Sequence, residues 1–197
     1  MNIDRSDQTG RFPPAQIASA ASRLAPRIGR PIVLVGMMGV GKSTVGRKLA
    51  AALGLPFSDA DDEIALAAQM SVSEIFEQFG ETHFRDGERR VIARLLETGK
   101  GVIATGGGAF VQDDTRALIL DEGIAVWLDC DVDTLVARVS RTDKRPLLRG
   151  GNVREIVTRM KADRESAYAH APVHVTSGEG PHADTVARIL EALDKCL

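Results

Sequence analysis

The run Gly36-Met37-Met38-Gly39-Val40-Gly41-Lys42-Ser43-Thr44 fulfils the pattern G-x-x-x-x-G-K-[ST] in full. A glycine-rich backbone of this kind curls so that several N–H groups and a helix N-terminus converge on one anion. Lys42 is expected to be exposed in the loop and to reach the β- and γ-phosphates of a nucleotide, with the Ser43 hydroxyl on Mg²⁺. A chance glycine-rich turn is the alternative, and the flanking residues speak against it. Pro31 to Val35 is a short apolar, β-branched run that reads as a buried strand, and Val45, Leu49, Ala52 and Leu53 recur at helical spacing up to Gly54.

Other residues with chemistry to offer lie after further strand-like runs. Asp59 and Asp61 are two apart, which in extended backbone points both carboxylates the same way. One could hold Mg²⁺ through water while the other takes a proton from a hydroxyl; the plainer reading is that Asp61 or Asp62 caps the next helix. Gly106-Gly107-Gly108 at the end of an apolar strand weakens the backbone unless a ligand must approach it closely. Arg145 to Gly151 has the composition of a mobile lid that brings an arginine onto phosphates, or of a solvated basic loop. Arg85 and Arg164 stand where helices could aim them at the same crevice, although each taken alone reads as a surface ion-pair residue.

These residues need elements to hold them. The second strand is expected around Leu55 to Ser58, followed by a polar helix from Asp61 or Asp62. Ser71-Val72-Ser73-Glu74 is a capping box opening a helical region that runs, interrupted at Gly80, to about Glu97. Val102 to Thr105 is the third strand, and Asp113 or Asp114 caps a helix ending at Gly123. Ile124 to Leu128 is the fourth strand, and Asp131 caps the next helix. Asn152 to about His170 is helical, Pro172 to Thr176 is the fifth strand, and Pro181 takes the first position of a final helix. Five strands alternating with helices predict an α/β fold, a three-layer α/β/α sandwich around a five-stranded parallel sheet. Residues 1 to about 29 are polar and proline-containing at the start. They are expected to form a disordered or loosely docked extension, with a short amphipathic helix over Ile17 to Ile28. The catalytic domain is expected over 30–197.

Composition narrows the function. A chain of 197 residues suffices for one domain and hardly for two. The net charge of −2 supplies no basic field for nucleic acid, and no apolar run approaches bilayer length. Cys130 and Cys196 have neither metal nor redox spacing, which suits a reducing cytoplasm. Pro172 between His170 and His174 makes a histidine metal site improbable.

Together, Gly36-x-x-Gly39-x-Gly41-Lys42-Ser43-Thr44, Asp59-x-Asp61, Phe84-Arg85-x-x-Glu88, Gly106-Gly107-Gly108, Arg145-Pro146-Leu147-Leu148 and Arg164-x-x-x-Tyr168 resemble the shikimate kinases in order and spacing. The resemblance covers about Pro31 to the C-terminus. It implies a P-loop, nucleoside-monophosphate-kinase-like fold with sheet order 2-3-1-4-5. It also implies ATP-dependent phosphorylation of the 3-hydroxyl of shikimate, by a monomer with no nucleic-acid or membrane partner. By the same resemblance, shikimate is held by Asp61, Arg85, Gly106, Gly107, Gly108 and Arg164. ATP lies on Gly39, Val40, Gly41, Lys42, Ser43 and Thr44, with Arg138 near the adenine and Arg145 from the lid. Mg²⁺ is held by Ser43 and Asp59, and Asp61, Lys42 and Arg145 carry catalysis. A substrate-binding segment spans about 59–98 and a lid about 141–152. One departure stands out: Ser166-Ala167 replaces the family's Pro-Leu before the tyrosine. The competing readings are another small-molecule kinase of this architecture, such as a gluconate or nucleotide kinase, and a slow ATP-hydrolysing switch.

Overall fold

The computed structural model describes residues 11–140, 152–178 and 180–197. Its centre is β1 (Ile32–Val35), four apolar residues buried along their whole length. Strand β1 lies between β3 (Val102–Ala104) and β4 (Ile124–Asp129), with β2 (Phe57–Asp59) beyond β3 and β5 (Val173–Thr176) beyond β4. All pairings are parallel, and Ile32 stands opposite both Val102 and Ile124. The order 2-3-1-4-5 is the expected one. Strands β1 and β3, and β4 up to Leu128, are apolar because both faces are covered, whereas the edge strand β5 alternates buried valines with exposed His174 and Thr176.

The helices are α1 (Pro14–Leu24), α2 (Lys42–Leu53), α3 (Ala60–Ala68), α4 (Val72–Glu97), α5 (Asp113–Glu122), α6 (Val132–Val139), α7 (Val153–Tyr168) and α8 (His182–Cys196). Helices α1, α2 and α8 pack on one another; α5 packs on α4 and β4, and α6 packs on α7. Local chemistry sets their ends. Ser71 and Glu74 form the reciprocal capping box, Asp131 caps α6 by accepting from the Thr134 N–H, and Gly54 closes α2 in the left-handed region. Gly80, at φ 79°, kinks α4 where the interruption was expected.

Four expectations need correction. Strand β2 extends to Asp59, and α3 begins at Ala60, because the Asp59 side chain itself accepts the Asp61 N–H at 3.1 Å. The capping residue is therefore Asp59, and the Asp61 side chain is left for other work. Pro181 precedes α8 as its cap rather than occupying its first turn. Gln112 rather than an aspartate precedes α5, with Asp113 and Asp114 in the first turn. Finally, the extension is not disordered over 14–28. Helix α1 and the short 3₁₀ turn after it bury Ala21, Leu24 and Ile28 in the core, and the guanidinium of Arg27 pairs with Asp194. Its apolar stripe had been visible, but α8 and α2, the surface it covers, are distant in sequence.

Candidate active site

Because the strands are parallel, their C-terminal ends share one edge of the sheet, and the loops leaving β1, β2 and β3 meet there. They enclose a cleft of about 700 Å³ lined by the phosphate loop, Asp59, Asp61, Arg85, Glu88, Gly106–Gly108, Arg138 and Arg164.

Gly36 leaves β1 at φ 132°, and a Cβ there would lie 2.3 Å from the Leu128 carbonyl oxygen. Only glycine lets the chain turn into the loop beside β4. Lys42 opens α2 and, contrary to expectation, is buried: its Nζ donates to the carbonyls of Gly36 at 2.8 Å and Met37 at 3.0 Å. The ammonium is thereby held at the mouth of its own loop, where a phosphate would meet it with little rearrangement. Ser43 and Thr44 follow in the first turn of α2 and line the same cleft.

The glycine triplet after β3 is shaped by the side chains that press on it. A Cβ on Gly106 would lie 2.7 Å from Glu88 Oε1 and 3.0 Å from Asp61 Oδ1, and one on Gly108 would lie 2.4 Å from Arg85 Nη2. On Gly107 it would lie 3.0 Å from the Met38 backbone nitrogen and 3.6 Å from Arg164 Nη1. Gly106 and Gly108 thus make room for charged side chains and Gly107 for the phosphate-loop backbone, and two carboxylates and two guanidinium groups meet at the triplet.

Arg85 is oriented by carboxylates of its own helix. Its Nη1 donates to Glu88 Oε2 at 2.7 Å, while Nε and Nη2 donate to Glu81 Oε1 at 3.2 and 3.1 Å. The rings of Phe84 and Phe76 lie 5.2 and 5.9 Å from the guanidinium carbon. Burial disfavours the Arg85 cation, but Glu88 and Glu81 outweigh it and raise its pKa. Glu88 is almost fully buried, and among the described residues its Oε1 has no hydrogen-bond partner. Burial pushes its carboxyl up, opposed by Arg85. Asp61 is likewise raised, by burial first and by Asp59 second, against the pull of Lys42 and Arg85. A carboxylate raised in this way is a better proton acceptor than an exposed one.

On the far side, Arg164 Nη1 and the Tyr168 hydroxyl both donate to the Gly107 carbonyl. Arg138 donates to the carbonyls of Val40 at 3.0 Å and Gly178 at 2.7 Å, tying the phosphate loop to the turn after β5. The arrangement can hold a polyphosphate on one wall and an anionic, hydroxylated acceptor on the other.

A model of the shikimate kinase family matches residues 38–194. The chain belongs to the shikimate kinase family. A shikimate kinase of Novosphingobium aromaticivorans is 62% identical over 184 residues, 91% of this chain and 95% of that protein. One from Caulobacter vibrioides is 57% identical over 170 residues, 86% of this chain and 85% of that one. Among solved structures, a shikimate kinase from Acinetobacter baumannii in complex with shikimate aligns with a TM-score of 0.82 at 34% identity, covering 89% of this chain and 98% of that chain. Membership of this family decides against the gluconate or nucleotide kinase and the slow switch.

Of the residues expected to serve the shikimate kinase reaction, Gly39, Gly41, Lys42, Ser43, Thr44, Asp59, Asp61, Arg85, Gly106, Gly107, Gly108, Arg138 and Arg164 all line the one cleft. Val40 is buried beneath it, with its carbonyl held by Arg138. Arg145 and the expected lid lie outside the described residues, apart from Asn152, which caps α7. His182 also lines the cleft, near Gly41, and nothing in its sequence context marked it. Glu81, not among the expected site residues, holds Arg85 from one turn earlier, and its spacing of four residues on a helix was the signal that could have found it. Ser166-Ala167 leaves α7 unbroken to Tyr168.

Proposed function

We propose how this chain performs the reaction of its family, the ATP-dependent phosphorylation of shikimate at its 3-hydroxyl. The triphosphate lies along Gly39 to Thr44, and Lys42 neutralises charge that develops on the transferring phosphoryl group. Arg138 stands beside the nucleoside, and Arg145, in the lid expected over about 141–152, is assigned to the phosphates. Shikimate rests on Gly106–Gly108. Arg85 and Arg164 fork onto its carboxylate, as planar guanidinium groups do. Asp61 orients the attacking hydroxyl and takes its proton.

Ser43 and Asp59 are proposed to hold Mg²⁺. They offer hard oxygen donors on one wall, and among the described residues no cluster of three His, Cys, Asp or Glu could cage a metal alone. That donor set fits an ion that completes its shell with water and phosphate oxygens. When bound, Mg²⁺ supplies charge neutralisation and alignment of the phosphates. We propose a monomer, as the resemblance to the family implies. We place it in the cytoplasm on the strength of two cysteines without disulfide spacing. Sedimentation velocity would test the first of these readings.

The observation that carries the assignment is the convergence of Lys42 with Asp61, Arg85 and Arg164 in one cleft, the last three at the glycine triplet. A coupled ADP-release assay tests it. ADP release should require shikimate and Mg²⁺ together. Asp61→Asn should lower kcat by about a hundredfold or more while leaving the KM for ATP nearly unchanged. Shikimate-independent ADP release would overturn the acceptor assignment. A rise confined to the KM for shikimate would make Asp61 a binding residue and not the base.

A further inference from the structure

The Gly107 peptide stands at the seam between the two substrates' walls. On one side its α-carbon presses on the phosphate loop: a Cβ there would sit 3.0 Å from the Met38 nitrogen and 3.6 Å from the Gly36 carbonyl oxygen. That same carbonyl oxygen accepts from Lys42 Nζ at 2.8 Å. On the other side the Gly107 carbonyl accepts from Arg164 Nη1 at 3.2 Å and from the Tyr168 hydroxyl. Arg164 and Tyr168 lie four apart, one turn along α7, so a single helix face delivers both donors to one acceptor.

Arg164 has other work, since its guanidinium lines the cleft. Tyr168 has none there. It is 1% exposed, and its ring is stacked 5.9 Å from that of Trp127 in β4. A buried hydroxyl without a ligand to touch is spending its one donor on a backbone carbonyl.

We propose that Tyr168 is a positioning residue for the acceptor site: by holding the Gly107 carbonyl, its hydroxyl sets the plane of the Gly107–Gly108 peptide and the approach of the Arg164 fork. The peptide is trans. Fixing its C=O toward α7 therefore sends the Gly108 N–H the opposite way. The Tyr168 hydroxyl also relieves Arg164 of being the sole support of that carbonyl, so the guanidinium keeps donors for a carboxylate. Burial pushes the phenol pKa up to about 12, against the pull of Arg164 and Arg85, so the hydroxyl remains a donor throughout the working range.

This inference rests on the reading of Arg164 as a shikimate ligand, and the test separates the two. Tyr168→Phe keeps the ring against Trp127 and removes only the oxygen. It should raise the KM for shikimate roughly three- to tenfold, the worth of one hydrogen bond. The KM for ATP and kcat should stay within about twofold of the parent. Trp127 is the sole tryptophan, so its fluorescence can report shikimate binding at equilibrium and should show the same weakening. Arg164→Lys is the companion, and the double variant should lose less than the product of the two single losses, because both act through one carbonyl.

A purely structural tyrosine would lower the melting temperature and leave the ratio of the two KM values untouched, which overturns the proposal. A fall in kcat with both KM values unchanged would place the hydroxyl in the transfer step, and that also overturns it. If Arg164→Lys weakens shikimate and Tyr168→Phe does not, only this inference fails. If neither does, the reading of Arg164 fails with it.

Discussion

Arg85 carries the sharpest question at the scale of single residues. Its partners Glu81 and Glu88 are the pair that a plain surface reading would assign to it, one on each side of a helical turn. Yet the side chain is only 14% exposed and its guanidinium faces Gly108. The carboxylates therefore act as a mount that aims the fork. Arg85→Lys keeps the charge and loses the planar fork, so kcat/KM for shikimate should fall at least tenfold, about 1.4 kcal/mol. An exposed ion pair predicts a few tenths of a kcal/mol, and steady-state kinetics tell the two apart. Glu88 adds a pH signature. Burial first, then the Asp61 and Glu81 charges, raise its folded-state pKa against Arg85. The folded protein thus retains a proton that the unfolded chain has released. Stability from this group is fullest below the ordinary glutamate pKa and is lost as pH rises through the raised folded value. Glu88→Gln cannot ionise, so its melting temperature relative to the parent should climb as pH rises from below the ordinary glutamate value into the neutral range. Calorimetry across that range checks this, and a constant difference would rule it out.

At the scale of elements, two kinds of glycine separate. Gly36 combines φ 132° with a Cβ position 2.3 Å from a backbone carbonyl, and neither partner can move. Gly36→Ala should destabilise the fold by on the order of 3 kcal/mol or more, read by denaturant unfolding. Gly108 has no such backbone constraint; its Cβ would meet the end of Arg85 at 2.4 Å. Gly108→Ala should displace the guanidinium and raise the KM for shikimate, at a smaller cost in stability than Gly36→Ala. Equal loss of stability in the two variants would show that the triplet serves the backbone and not the side chains around it.

For the molecule as a whole, helix α1 is part of the core. Leu24 is 1% exposed in the contact of α1 with α8 and α2. Leu24→Ala should lower unfolding free energy by about 2–5 kcal/mol with kcat unchanged, whereas a loosely docked extension predicts no loss. Chemical denaturation with parallel kinetics decides. The five strands, their parallel pairing and most helix ends were legible in the sequence, because apolar runs, capping residues and glycines act over a few neighbours. Gly36 to Thr44 was legible for the same reason: its chemistry lies in contiguous backbone. For Asp59, Asp61 and Asp62 the sequence left open which one caps the helix, and only the end of β2 and the start of α3 showed that Asp59 holds the Asp61 N–H. The sheet order came from the family resemblance, because periodicity says which residues pair in strands but not which strands are neighbours. Tertiary structure alone decided that Lys42 is buried, that Glu88 lies beside Asp61 at Gly106, and that Tyr168 reaches Gly107 across 61 residues of chain. The last two are contacts between groups distant in sequence, set by how helices lean on the sheet, and no local pattern encodes that angle.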